Sequence, residues 1–154
     1  MSGRATLLVA LGIALVAGAA AAVVVLVAGT GKASVTPEQY LAEASAVCKV
    51  YARKLDRVPP PDPGSTADVA ASVGRALPIL EGQAAAVRKI RPPHALEDQV
   101  HAFFARTDRS LGALRAVLEA AKRGDAKAMG PKLGVWFEAS DAAQTASHRV
   151  GYKC

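Results

Sequence analysis

The stretch Thr36-Pro37-Glu38-Gln39-Tyr40-Leu41-Ala42-Glu43-Ala44-Ser45-Ala46-Val47-Cys48 decides the fold class. It opens with a helix start. Thr36 can cap, Pro37 suits the first helical position, and Gln39 stands where a capping box closes. Tyr40, Ala44, Val47, Cys48, Tyr51 and Leu55 then recur at three- and four-residue spacing. That stripe predicts a first helix over residues 37–56, with one apolar face.

C-terminal to it, Arg57-Val58-Pro59-Pro60-Pro61-Asp62-Pro63-Gly64 reads as a stiff, non-helical connection. Ser65 or Thr66 can cap a second helix, whose apolar face is Val69, Val73, Leu77, Leu80, Ala84, Val87 and Ile90. Pro78 lies inside this pattern, and periodicity continues past it, so a kink is expected rather than an end. Arg91-Pro92-Pro93 ends the helix, and Pro93 is expected to begin a third. The third carries Leu96, Val100, Phe103, Phe104, Thr107, Leu111, Leu114, Val117 and Leu118. Gly124 supplies a stop and Asp125 a cap for a fourth helix. Gly130-Pro131 is expected to break or bend that helix early. Leu133, Val135, Trp136, Phe137, Ala142, Ala143, Ala146 and Val150 continue it. No strand signal or internal repeat appears. Four amphipathic helices with short connections predict an all-α fold, an antiparallel up-down-up-down four-helix bundle over residues 37–154.

N-terminal to the deciding stretch lie a linker, residues 32–36, and a long apolar segment within residues 1–31. From Ala5 to Gly31 no residue is charged, and Leu7 to Ala28 is apolar or small throughout. At about 1.5 Å per residue those residues span the ~30 Å hydrocarbon core of a bilayer. The run exceeds the ~7–15 apolar residues of a cleaved leader. It therefore reads as an uncleaved signal anchor, a single transmembrane helix, with cleavage after a small-residue triplet such as Val27-Ala28-Gly29 as the alternative. Arg4 precedes it and Lys32 follows, so charge barely sets its orientation.

The cysteines decide the orientation. The two, Cys48 and Cys154, both follow the apolar segment. An isolated pair in a small exported domain favours a disulfide, with an intermolecular bond or two thiols as the alternatives. Antiparallel packing brings the tail after the fourth helix back to the first, which suits Cys48–Cys154. Closing a loop of ~100 residues stabilises by up to about 4–5 kcal/mol in the chain-entropy model. Residues 32–154 are accordingly expected outside a cell membrane.

Composition agrees with helices: hydrophobic residues reach 51% but aromatics only 5%, with alanine dominant. Asparagine is absent, which removes any N-glycosylation acceptor. Net charge is +6. Lys49, Arg53, Lys54 and Arg57 end the first helix and Lys122, Arg123 and Lys127 flank the end of the third. The pole where they meet is expected to be basic and to suit an anionic envelope polymer, although cations at helix C-termini are also what the helix dipole favours. No aromatic interleaving points to nucleic acid.

The order Tyr40-Leu41-x-x-Ala44-x-x-x-Cys48, Leu77-Pro78-Ile79-Leu80, Ile90-Arg91-Pro92-Pro93, Ala120-Ala121-x-x-Gly124-Asp125 and Gly151-Tyr152-x-Cys154 covers nearly the whole outer region. It resembles a group of exported helical domains of high-GC, actinobacterial-type bacteria, whose members are often lipoproteins or single-pass proteins. The present chain departs from the lipoproteins in lacking a Cys after its apolar run. The resemblance implies a disulfide-closed bundle and no activity.

Candidate sites are few. His94, Asp98 and His101, with Glu97, offer nitrogen and oxygen donors to zinc or copper at helical spacing. Acids in a first helical turn also complement the dipole, and histidines there are commonly solvated, so no metal or other cofactor is assigned. Arg123-Gly124-Asp125 spells an adhesion tripeptide, yet its Gly and Asp are explained as helix stop and helix start. Trp136, Phe137, Phe103 and Phe104 can line a pocket between helices or simply fill the core. There is no Gly-x-Ser-x-Gly, phosphate loop, His-Glu-x-x-His or Cys-His pairing, so no catalytic residue is named. The reading is a non-enzymatic, single-pass envelope protein whose outer bundle contacts a protein partner or wall polymer. The alternative is a ligand- or metal-binding bundle.

Overall fold

The computed structural model describes residues 35–62 and 64–153. These contain four α-helices: α1 (Pro37–Leu55), α2 (Thr66–Arg88), α3 (Glu97–Lys122) and α4 (Ala126–Val150). A short 3-10 turn, His94–Leu96, precedes α3, and no strand occurs among the described residues. No helix among them is long and apolar enough to cross a membrane. The expected anchor, Leu7 to Ala28, lies outside the described residues, and so does Cys154, on which the expected disulfide falls.

Side-chain caps set three of the helix starts. Thr36 and Gln39 form a reciprocal capping box, with Gln39 N–H donating to Thr36 Oγ1 at 3.3 Å and Thr36 N–H to Gln39 Oε1 at 3.1 Å. Backbone N–H groups and the Thr36 hydroxyl hold the Glu38 carboxyl below its usual range. Ser65 accepts from Asp68 N–H, and Asp125 from Ala128 N–H. The start of α3 differs from expectation. Pro93 is extended (φ −69°, ψ 151°) and does not begin the helix. No Ser, Thr, Asp or Asn stands at its mouth, so the first turn tightens into 3-10 form, with Leu96 N–H bonded to Pro93 O at 2.9 Å.

Two glycines end helices in the left-handed region, Gly124 (φ 68°) after α3 and Gly151 (φ 94°) after α4. Both ends are Schellman motifs. Asp125 N–H reaches back to Ala120 O, and Tyr152 N–H to Ser147 O, each at 3.1 Å. The Gly130-Pro131 break does not occur. α4 is continuous from Ala126, and exposed Pro131 sits in its second turn. The helix there forfeits one backbone hydrogen bond, to Lys127 O, and the packing of Met129 and Leu133 holds the turn in place. α2 likewise runs through Pro78.

The core has two ends and a middle. At one end Tyr40, Val87, Val100, Val150 and Tyr152 bring together the start of α1, the end of α2, the start of α3 and the end of α4. At the other, Val69, Val117, Ala120, Ala121 and Met129 join the start of α2, the end of α3 and the start of α4. Consecutive helices are therefore antiparallel. Leu77, Ala84, Leu111, Leu114 and Leu118 fill the middle between α2 and α3. All of this core lies within residues 33–154, a compact unit that carries its own fold.

Helix contacts are uneven. α3 packs extensively on α4, α2 on α3 and α1 on α2, but α1 and α4 form no extensive contact. α1 approaches α2 closely where Tyr51 lies over Gly82; a Cβ there would stand 3.1 Å from the ring. Ser72, buried in α2, donates to Pro59 O at 2.8 Å and fastens the proline-rich connection.

Candidate functional site

The incomplete fourth side of the bundle leaves a part-enclosed cavity of about 380 Å³. Ligand sites run from ~300 to 1,000 Å³, so this one suits a small molecule. Each helix offers one stripe. α2 contributes Leu80, Gln83, Ala84 and Val87, and α3 contributes Phe103, Thr107, Ser110, Leu111 and Leu114. α4 contributes Trp136, Ser140, Ala143, Gln144 and Ser147. Cys48 of α1 and Tyr152 of the tail complete the wall. The stripes on α3 and α4 each extend over twelve residues, about 16 Å of helix, so the cavity is a slot along the bundle axis.

The register of the antiparallel helices grades the slot. Leu80, Leu114 and Trp136 lie at the end nearer the α1–α2 connection, and that end is apolar. Ser140, Gln144, Ser147, Thr107 and Ser110 lie from the middle toward the tail. Thr107 Oγ1 donates to Phe103 O at 3.0 Å within its own helix. The side chains of Gln83, Ser110, Ser140, Gln144 and Ser147 bond no protein group among the described residues. No Asp, Glu, Lys, Arg or His is among the described lining residues.

Two tyrosines close the tail end. The Tyr40 and Tyr152 hydroxyls are hydrogen-bonded to one another, and both side chains are buried. Burial raises the pKa of each phenol, and the hydrogen bond from Tyr40 raises that of Tyr152 further. Phe103 meets Tyr152 edge-on at 5.0 Å. Lys153 N–H donates to Ser45 Oγ at 3.3 Å and ties the tail to α1.

Of the four aromatics expected at a pocket, Trp136 and Phe103 line the slot. Phe104 instead lies under the Arg88 guanidinium, 4.6 Å from its ring centre, in a shallow hollow beside the Arg88–Asp108 ion pair. Phe137 and Val135 are 57% and 59% exposed, because they flank Trp136 on a helix that turns them away from α3. The polar stripe on α4 escaped the sequence reading, although its spacing of four and three residues from Ser140 was the available signal.

His94, Asp98 and His101 do not come together as a ligand set. His94 pairs with Glu97 at 3.1 Å across the 3-10 turn rather than with Asp98, and its side chain is 98% exposed. No group of three or more His, Cys, Asp or Glu among the described residues is placed to hold a metal ion. Arg123-Gly124-Asp125 is a helix stop followed by a cap. The pole at the ends of α1 and α3 is mixed rather than uniformly basic. Lys122 pairs with Glu119 at 3.1 Å, and exposed Asp56 and Asp125 stand among the cations. Lys54 lies over the Tyr51 ring at 4.4 Å. Cys48 is buried on the inner face of α1.

No family model, curated protein or solved structure matches the chain.

Proposed function

We propose that the chain is a single-pass envelope protein, anchored by Leu7 to Ala28, whose outer helical unit is a non-enzymatic binding module. Its binding site is the slot between α2, α3 and α4. One observation carries the reading: the stripe of α4 that lines the slot bears half-buried Ser140 and Ser147, where folding alone favours Ala or Leu, with exposed Gln144 at its rim. Hydrogen-bonding side chains converging on an otherwise apolar cavity are the ordinary make-up of a small-molecule site. A Cys48–Cys154 bond, proposed with the anchor, supports an oxidising location outside the membrane.

The test uses residues 33–154 and an apolar reporter dye. Trp136 is the single tryptophan and lines the slot, so a dye bound there accepts energy from it. Saturable one-to-one binding is expected, together with its loss in Ala143→Phe, which fills the slot. Equal dye binding by a folded Ala143→Phe variant overturns the reading.

A further inference from the structure

The slot's lining defines the class of molecule it takes. The chain has 32 Asp, Glu, Lys and Arg residues in 154, yet none lies among the described residues of the slot wall. A charged ligand entering it leaves water and finds no counter-charge, which costs far more than burying a hydroxyl that meets a partner. An entirely apolar ligand would strand Ser140 and Ser147, which bond no protein group among the described residues. The slot is long, about 16 Å along α3 and α4. It is apolar at one end, at Leu80, Leu114 and Trp136, while toward the other Ser140, Gln144 and Ser147 interrupt a wall of Val87, Phe103 and Tyr152.

We propose that the slot binds an uncharged, elongated amphiphile, such as a neutral lipid or long-chain alcohol. Its apolar tail lies against Trp136 and its hydroxyl or carbonyl group meets Ser140, Gln144 and Ser147. The proposal rests on the slot being a binding site at all. It adds the orientation of the ligand and the exclusion of charge. Ser140 and Ser147 are specificity-determining: each hydroxyl both donates and accepts, and so serves a ligand alcohol or ester alike.

The experiment compares decanol, decanoate and decylammonium, three probes with one tail, on residues 33–154. At about pH 8 the acid is ionised and the amine protonated. Trp136 emission reports occupancy. Decanol is expected to shift the emission to the blue and to bind at least tenfold more tightly than either ion. The double variant Ser140→Ala, Ser147→Ala is expected to lose about tenfold in decanol affinity while its circular dichroism is unchanged. Equal or tighter binding of decanoate or decylammonium overturns the proposal, as does undiminished decanol binding by the double variant. Failure of all three probes with the dye still bound overturns the ligand class and leaves the site standing. Failure of the dye as well removes the site itself.

Discussion

The hydroxyls of Tyr40 and Tyr152 meet in a hydrogen bond across 112 residues of sequence, joining the first turn of α1 to the tail beyond α4. Each is the other's partner inside the core, and neither has water to fall back on. Replacing one by Phe leaves the other hydroxyl buried and unsatisfied, a loss of about 1–3 kcal/mol. Replacing both removes the orphan. Tyr40→Phe and Tyr152→Phe are each expected to lower the denaturant midpoint. The double variant should cost less than the sum, leaving a coupling of about 1 kcal/mol in a double-mutant cycle. Additive costs would show that the two hydroxyls are independent.

The same pair makes the fold sensitive to alkali. Burial raises both phenol pKa values in the folded state. The unfolded chain loses these protons near pH 10 while the folded chain keeps them, so stability is full below about pH 10 and falls as pH rises above it. Tyr40→Phe with Tyr152→Phe should flatten that fall. A thermal-melt series from about pH 8 to 11 measures it, and identical alkaline slopes in both proteins would exclude the pair as its cause.

Much of this architecture was legible because local signals agree with tertiary packing. The Thr36–Gln39 box, the Ser65 and Asp125 caps and the Gly124 stop each satisfy backbone groups whatever surrounds them. Where local and tertiary preferences conflict, reading from sequence failed. Gly130-Pro131 disfavours helix by propensity, but Met129 and Leu133 bury side chains on either side and carry α4 through it. The weak contact between α1 and α4 has no sequence signal, since it depends on how far apart two helix axes settle. The slot follows from that separation. Ser140, Gln144 and Ser147 therefore read as an ordinary solvated face, and only the cavity they border beside Trp136 and Ala143 sets them apart.

Pro131 makes that conflict measurable. It is exposed and withholds the donor that Lys127 O would otherwise accept. Pro131→Ala restores the bond and improves helix propensity, partly offset by a freer unfolded chain. A gain of about 1–2 kcal/mol in denaturant unfolding is expected. A loss would mean that the proline shapes α4 in a way the rest of the bundle requires.

The stripe on α4 predicts opposite effects on stability and on binding. Ser140 and Ser147 are only part-buried and bond no other protein group among the described residues, so folding draws little from their hydroxyls. Alanine has the higher helix propensity, by roughly 0.5 kcal/mol per site. Ser140→Ala with Ser147→Ala should therefore raise the denaturant midpoint by an amount worth up to about 1 kcal/mol. The same change should weaken decanol binding. A residue that costs stability and is kept for binding gives this divergence, which is the usual trade at a functional site. If the double variant were instead less stable, the serines would be structural, bonded within the bundle in solution. The slot would then be a packing gap with polar walls.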